Sequence, residues 1–458
     1  MTEEQNRYQE QSLFSISWPL FIEITLHMST GIIATLILSG YADNAVAGVG
    51  VANQILNIFI LVFNVTAIGA TILIGQNLGA GKLNQARRLA RTAFGVNFWV
   101  GIFMTLVVFF LGGIFLKFYG LSGEVYQYAL TFLQVTGLSL FLEAISLAIS
   151  AVLRSYGYTK ETMVVTVIMN FISIIGYFIA IKGLFGLPVT GVVGVSWSIF
   201  AARVFLIVAL LILVYRKIAL RLYVKDIFSM NKEDVKGILA IGIPSAGENL
   251  SYQFSQVVLT SFVAVIGDAA LAARVYILNI SMVCFLFTMA IAQGTQLLIA
   301  RYIGAKQYDR ALKRGIKTLK IAMIASTAVS LIVALIGEPI LEVFTNDPEI
   351  IAVGLPVLWA IVFIEPGRAM NIVLMGALKS TGDVRFPVII GVITMWGVAV
   401  AFGYLFGITL GFGLLGIWIA QGLDEWVRGI FACKRWLTKP WERKQTVQKP
   451  LPAAKPSS

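Results

Sequence analysis

The stretches GQNLGAGKLNQARRLARTA, residues 75–93, and ARYIGAKQYDRALKRGIKT, residues 300–318, are two copies of one sequence pattern. Their shared glycines, Gly79 and Gly304, differ in position by 304 − 79 = 225, which we call the repeat offset. The same offset relates Pro19 to Pro244, Glu23 to Glu248, Asp43 to Asp268, Ala86 to Ala311, Glu124 to Glu349, Ser155 to Ser380, Gly157 to Gly382, Gly191 to Gly416 and Arg203 to Arg428. A single register without a gap indicates a duplication, and a repeat of this kind decides the architecture.

Long apolar runs occupy most of both copies. Of the 458 residues, 58% are hydrophobic and only 13% are charged, whereas an average soluble domain has roughly 25% charged residues. A bilayer core of about 30 Å needs about 20 helical residues. Twelve sufficiently long runs lie at 13–39, 45–77, 91–116, 126–153, 162–181, 189–215, 238–265, 270–300, 318–341, 350–378, 386–408 and 413–433. We therefore predict an all-α polytopic membrane protein with twelve transmembrane helices.

Lysine and arginine concentrate in alternate connections between these runs. The basic connections follow the second, fourth, sixth, eighth and tenth runs, and the C-terminal tail is basic as well. The intervening connections hold only Lys117, Lys182 and Arg274. This positive-inside asymmetry predicts that both termini are cytoplasmic, and we expect a multi-pass protein of the plasma (inner) membrane. It also accounts for the formal net charge of +12 without a nucleic-acid partner.

Six predicted helices per copy is an even number, so both copies enter the membrane in the same orientation. The two bundles are then expected to be related by a pseudo-twofold axis along the membrane normal. The expected organisation is a cytoplasmic N-terminus at 1–12, an N-terminal six-helix bundle at 13–215, a cytoplasmic linker at 216–237, a C-terminal six-helix bundle at 238–433 and a basic disordered tail at 434–458. Duplicated bundles usually enclose a cavity and rock against each other, which favours a transporter, expected here as a monomer in the lipid bilayer.

Two other classes are alternatives to a transporter. A membrane enzyme needs a catalytic cluster, but the chain has one histidine and two distant cysteines, which offer neither a histidine pair nor a Cys/His metal set. We therefore predict no enzymatic activity, no metal site and no cofactor. A channel would be distinguished by passive flux that follows the gradient.

Four loops resemble those of a known family. Besides residues 75–93 and 300–318, the pair AVLRSYGYT at 151–159 and GALKSTGDV at 376–384 looks like the cytoplasmic loops of the multidrug and toxic compound extrusion (MATE) family, bacterial type. The resemblance spans residues 13–433 and implies a MATE-like fold. It also implies a secondary antiporter that exports small organic molecules, often cationic drugs or metabolites, in exchange for protons or sodium ions. The closest alternative is a flippase for lipid-linked oligosaccharides in the same superfamily, whose cavity needs arginines and lysines.

The stretch WPLFIEITLHM, residues 18–28, places charge inside the first apolar run, where charge is costly and marks a candidate for function. Glu23 lies near mid-membrane, and His27, the only histidine, follows one turn later on the same face. The second copy repeats the acid as Glu248. In one interpretation these glutamates exchange protons or bind a cation, with His27 as a relay. In the other interpretation both glutamates are protonated and neutral. They then donate hydrogen bonds to the backbone carbonyls that lose their helical partners at the helix prolines.

The remaining candidate site residues belong to later runs of each copy. Glu365 and Arg368 are spaced i, i+3 and are predicted to form an ion pair, which serves either coupling or the packing of that helix. Glu143 precedes Arg368 by the repeat offset. An acid and a base thus occupy equivalent places in the two copies and could meet across the cavity.

The last apolar run also carries charge. Arg428 is expected to extend toward the inner face and to pair with Asp424 or Glu425 in a mainly structural contact. Counted from the helix prolines, the acidic positions of many MATE proteins fall here on Ala34, Tyr252 and Arg368, with Glu365 one turn before Arg368. The resemblance therefore assigns no ion site, and the choice between proton and sodium stays open.

Overall fold

The computed structural model describes residues 12–443 apart from 122, 184–185 and 223, and helices make up most of that part. In chain order they are α1 Leu13–Ser39, α2 Asp43–Gly79, α3 Leu83–Lys117, α4 Gly123–Leu138, α5 Leu140–Ser155, α6 Thr159–Lys182, α7 Gly191–Ile218, α8 Val224–Phe228, α9 Lys232–Ile266, α10 Asp268–Gly304, α11 Tyr308–Leu335, α12 Gly337–Glu342, α13 Pro348–Ser380, α14 Arg385–Thr394, α15 Ala401–Tyr404 and α16 Gly413–Leu437. Two π-helical segments, Met395–Val400 and Leu405–Thr409, flank α15, and a 3₁₀ turn, Pro440–Arg443, follows α16.

Nine of the described helical segments are each long and apolar enough to cross a bilayer. They are α1, α2, α3, α6, α7, α10, α11, α13 and the continuous segment Arg385–Thr409. Taken together, α4 and α5 also meet this length and composition test, but they are bent by 48° and form either a broken tenth span or a re-entrant loop. The remaining predicted runs, 238–265 and 413–433, are helical as parts of α9 and α16, which carry more polar side chains. Every predicted run thus coincides with helical structure, and the all-α fold class is confirmed.

The contacts divide the chain into two compact units. The first unit comprises residues up to Ile74 and Lys82–Gly242, and the second comprises Gly75–Gly81 and Ile243 onward. Both α2 and α9 therefore contribute to each unit. The predicted linker at 216–237 is more than a simple connection, because it contains α8 and the beginning of α9.

The termini are described in part. Residues 1–11 of the predicted N-terminal segment and the tail beyond Arg443 lie outside the described residues. The tail is predicted to be disordered from residue 434, but α16 and the turn after it extend through its first ten residues. Trp436 and Trp441 are buried and stack with ring centroids 4.8 Å apart, so two large apolar side chains order this part of the tail.

The first unit packs around an apolar core and a close helix crossing. Buried members of the core include Leu38, Phe63, Leu133 and Val195, from α1, α2, α4 and α7. The beginning of α9 crosses α2 at two glycines. A Cβ atom on Gly69 would lie 2.1 Å from the carbonyl oxygen of Ile238, and one on Gly242 would lie 2.0 Å from that of Val65.

The second unit contains a reciprocal crossing between the end of α2 and the end of α10. A Cβ atom on Gly79 would lie 2.0 Å from the carbonyl oxygen of Arg301, and one on Gly304 would lie 1.8 Å from that of Gln76. Gln76 and Arg301 are themselves related by the repeat offset, so the duplication copied both sides of the contact. Because only glycine lets two backbones approach this closely, the crossing explains the glycine shared by the two repeated loops.

The crossing predicts the effect of adding a single methyl group. Gly304→Ala should lower the free energy of unfolding by about 1–3 kcal/mol, because the new Cβ meets backbone that cannot move aside cheaply. Gly50→Ala is the matched control, since a Cβ at that position of α2 meets nothing within 4 Å. It should be neutral or stabilise by up to about 1 kcal/mol. Thermal unfolding of the purified variants in detergent measures both, and equal melting temperatures would contradict the crossing.

Candidate functional site

Glu23 on α1 forms an ion pair inside the first unit. The Arg154 Nη2 atom, near the end of α5, lies 2.5 Å from Glu23 Oε1. The Thr166 hydroxyl on α6 donates to the same oxygen at 3.4 Å. Because the Glu23 side chain is largely buried, one nearby cation balances one carboxylate in a site with little water.

The second unit contains the equivalent ion pair. Lys379 Nζ, near the end of α13, lies 2.6 Å from Glu248 Oε2 on α9. Arg154 and Lys379 are related by the repeat offset, as are the two glutamates. Gly391 on α14 takes the place of Thr166, and a Cβ atom there would lie 3.2 Å from Glu248 Oε1. The duplication thus copied a complete acid–base pair, and the two cations belong to the repeated loops at 151–159 and 376–384.

His27 is exposed on α1 and forms no ion pair with a described carboxylate. The i, i+4 spacing predicts a shared helix face with Glu23, but the Glu23 carboxylate bonds to Arg154 and Thr166. Among the described contacts, no ion pair or hydrogen bond therefore joins the proposed acid to its proposed relay.

Glu143 and Arg203 meet at the bend between α4 and α5. Arg203 Nε lies 3.0 Å from Glu143 Oε2. Its Nη1 atom donates to the hydroxyl of Ser139 at 2.5 Å and to the carbonyl oxygen of Thr136 at 3.4 Å. Ser139 is the residue between the two helices, so the guanidinium satisfies polar atoms that the bend releases. Glu143, like Arg368, has its ion-pair partner within its own unit.

Charged side chains of α13 and α16 form a larger cluster, which we call the acidic network: Glu365, Arg368, Asp424, Glu425 and Arg428. Arg368 lies 2.5 Å from Glu365 and 3.6 Å from Glu425. Arg428 pairs with Asp424 and lies 3.5 Å from Glu425. The predicted pairs are confirmed. Arg428 is only 4% exposed, however, so it does not extend to the inner face as the sequence suggested.

The acidic network has one more acid than base. Three carboxyl groups face two guanidinium groups, and the neutral Asn371 amide donates to Glu425 Oε2 at 2.6 Å. Glu365 is fully buried, and neither its Oε2 atom nor Asp424 Oδ1 accepts a hydrogen bond in the described part of the chain. An uncompensated buried carboxylate is costly. A proton or a bound cation would neutralise it, so this arrangement can exchange one positive charge for another.

Sequence reasoning missed several of these residues. In the sequence, Arg154 and Lys379 belong to the basic connections that predict topology. Both are basic, and they are related by the repeat offset. This repeat was the available signal. An acid and a base that both recur at the repeat offset suggest an ion pair that is present in each copy. Asp424 and Glu425 were recognised as charged, but sequence spacing alone does not reveal that they join the Glu365 and Arg368 pair on another helix.

Two duplicated helical units with charge networks inside their membrane-length helices define a polytopic membrane transporter. The family model MatE matches residues 19–179 and 244–405. The chain therefore belongs to the MATE family of efflux transporters, as the four loops predict.

Relatives agree with this assignment. The uncharacterized transporter YisQ of Bacillus subtilis is 45% identical over 433 residues, which cover 94% of this chain and 95% of YisQ. The probable multidrug resistance protein NorM of Thermotoga maritima is 26% identical over 434 residues, which cover 95% and 93% of the two chains.

Solved structures show the same fold. A MOP superfamily transporter from Pyrococcus furiosus matches with a TM-score of 0.85 at 19% identity, over 96% of this chain and 98% of that one. A MATE protein in the bent conformation matches with a TM-score of 0.88 at 19% identity, over the same shares of both chains. The MATE-like fold is confirmed.

The repeated ion pair predicts a stability cycle. Lys379→Met should leave the Glu248 carboxylate without its counter-charge and lower the free energy of unfolding by about 2–3 kcal/mol. Adding Glu248→Gln should recover most of that loss, because the remaining amide carries no charge. Thermal unfolding in detergent measures the cycle.

A surface ion pair supplies the control for this cycle. Asp309 lies 3.0 Å from Lys439, but its side chain is 84% exposed, and Asp309→Asn should leave the melting temperature nearly unchanged. If the single and double variants at Lys379 and Glu248 were equally unstable, the pair would not act by balancing charge.

Proposed function

We propose that the protein is a secondary antiporter that exports small organic cations in exchange for an inward-moving ion, and that the acidic network is its coupling site. The observation that carries this proposal is the odd charge count, three carboxyl groups against two guanidinium groups at a buried place. Such a network favours one additional positive charge at a time. Binding of the substrate cation would then displace the ion already held, which couples the two movements.

The hydrogen-bond partners of the carboxyl oxygens in the acidic network favour a proton as the exchanged ion. Glu365 Oε2 and Asp424 Oδ1 lack a donor, whereas the other network contacts are occupied by guanidinium or amide groups. Either of these two oxygens can take the one proton that balances the network. A hard metal cation instead gathers about six or more oxygen ligands, as calcium and magnesium do. Exchange for sodium is therefore the second candidate.

The other candidate carboxylates have a different role in this proposal. Glu23, Glu143 and Glu248 each face one cation, so their pairs are already electrically balanced. We assign them to holding helices together within each unit. His27 has no ion pair with Glu23, and we give it no part in the exchange.

The charge pattern favours cation export over the flippase alternative. A pyrophosphate-binding cavity needs arginines whose charge is free. Arg203, Arg368 and Arg428 each lie beside a carboxylate, which balances them. Arg274 bonds to the neutral side chains of Gln256 and Thr260, but one guanidinium is too few for the several charges of a pyrophosphate. The relatives called probable multidrug resistance proteins support organic drugs as one substrate class.

We also propose a setting for this activity. The basic connections support a plasma-membrane location with both termini in the cytoplasm. The two units within one chain are consistent with a functional monomer. The exchanged ion supplies the driving force in this scheme, so no organic cofactor is required.

Dye uptake into inverted membrane vesicles tests the proposal. We expect a cationic dye to accumulate under an imposed proton gradient and not under a sodium gradient alone. Glu365→Gln should slow this uptake at least about tenfold, because an amide cannot exchange a proton. Glu338→Gln, which alters an exposed carboxylate, is the matched control and should transport normally.

Three results would count against parts of this account. Uptake driven only by sodium would replace the proton as the coupling ion. Uptake that survives Glu365→Gln at the wild-type rate would remove the acidic network from coupling. No uptake under either gradient would reject cation antiport and favour anionic or lipid-linked substrates.

A further inference from the structure

Arg274 is a buried cation outside the acidic network. The sequence placed it among the few cations of the intervening connections, but it lies within α10 and is only 2% exposed. Its Nη2 atom donates to Gln256 Oε1 at 2.9 Å, and its Nε atom donates to the Thr260 hydroxyl at 3.2 Å. The guanidinium carbon lies 5.1 Å from the centre of the Trp418 ring. Two neutral polar groups and one aromatic face therefore hold the guanidinium.

No described carboxylate pairs with Arg274, and its Nη1 atom is buried without an acceptor. A guanidinium has five N–H donors and stays protonated in proteins. Two of these donors are used, by Gln256 and Thr260. A buried positive charge without a counter-charge is strongly unfavourable. The site therefore lacks one negative charge and offers unused donors to receive it.

This arrangement is particular to the second copy of the repeat. Subtracting the repeat offset relates Arg274 to Val49, Gln256 to Gly31 and Trp418 to Val193, and only Thr260 keeps its residue type, at Thr35. Val49 is a buried member of the apolar core of the first unit. A feature needed only to build the helical unit would be expected in both copies. The polar set at Arg274 thus points to a ligand and not to the shared scaffold.

We propose that Arg274, with Gln256, Thr260 and Trp418, binds a carboxylate carried by the transported molecule. Gln256 and Thr260 are only partly buried, so an anionic group can approach along α9. The Trp418 ring covers a face of the guanidinium and leaves its edge for the carboxylate oxygens. This inference rests on the proposed transport activity and deepens it, because it names the residues that would hold an anionic group of the substrate.

One face of α9 carries the polar side chains that contact Arg274. Tyr252, Gln256 and Thr260 recur every fourth residue and so share a face, about 6 Å apart along the helix axis. Tyr252 is 39% exposed, so this row of polar side chains is partly accessible.

Equilibrium binding of two matched dyes to the purified full-length protein tests the assignment. The probes are a rhodamine with a free carboxyl group and the methyl ester of the same rhodamine, which differ only in the anionic group. Wild type should bind the acid at least about tenfold more tightly than the ester, as expected for a charge-assisted hydrogen bond. Arg274→Gln should abolish that difference by weakening the acid alone, and Arg274→Lys should retain part of it.

Two control variants distinguish the loss of this site from the loss of any positive charge and from misfolding. Arg216→Gln removes an exposed arginine of α7 and should leave both affinities unchanged. Because Arg274→Lys keeps the charge, it tests the site even if the glutamine variant fails to fold.

Several outcomes would overturn the inference. Binding of both dyes with equal affinity, or of neither, would contradict a carboxylate site, as would equal weakening of both dyes by Arg274→Gln. If the wild-type preference, measured without added salt, vanished when chloride was added, the site would hold an inorganic anion and not the substrate. Retained Arg274-dependent binding without proton-driven uptake would reject the antiport proposal alone and leave the anion site standing.

Discussion

The free energy needed to move a charge from water into an apolar helix bundle decides where the charged side chains of this protein lie. Three ion pairs each combine one acid with one base from different helices: Glu23 with Arg154, Glu143 with Arg203, and Glu248 with Lys379. Such pairs hold helices in register without leaving net charge. The acidic network departs from this balance by one carboxyl group, and Arg274 departs from it by one guanidinium. Helix packing alone requires neither the extra carboxyl group nor the extra guanidinium, so we assign both to function.

The duplication separates scaffold from specialisation. The Gly79 and Gly304 crossing and the two glutamate pairs recur at the repeat offset, so they belong to the architecture that both copies share. The acidic network is different, because the position equivalent to Arg368 is Glu143 and the positions equivalent to Glu365 and Asp424 are apolar. The described ion pairs inside the first copy are thus balanced, whereas the second copy also carries the carboxyl groups of the acidic network. Function in this account is concentrated in the second unit.

Sequence reasoning reached the fold and the local pairs but not the distant ones. The repeat and the apolar runs predicted the helices, and i, i+3 and i, i+4 spacing predicted the contacts of Glu365 with Arg368 and of Arg428 with its acids. Glu23 and Arg154 are 131 residues apart, and no local periodicity brings them together. Arg274 was misjudged for a related reason: composition near the end of an apolar run does not reveal whether a side chain faces water or the helix interior.

The central claim is that the acidic network holds either a proton or the substrate cation. Proton release on binding tests it most directly, measured with a pH-sensitive dye in weak buffer as a cationic ligand is titrated into the purified protein. We predict about one proton released per ligand bound by the wild type, and none by Glu365→Gln. Binding without proton release in the wild type, or an unchanged release in the variant, would contradict the account.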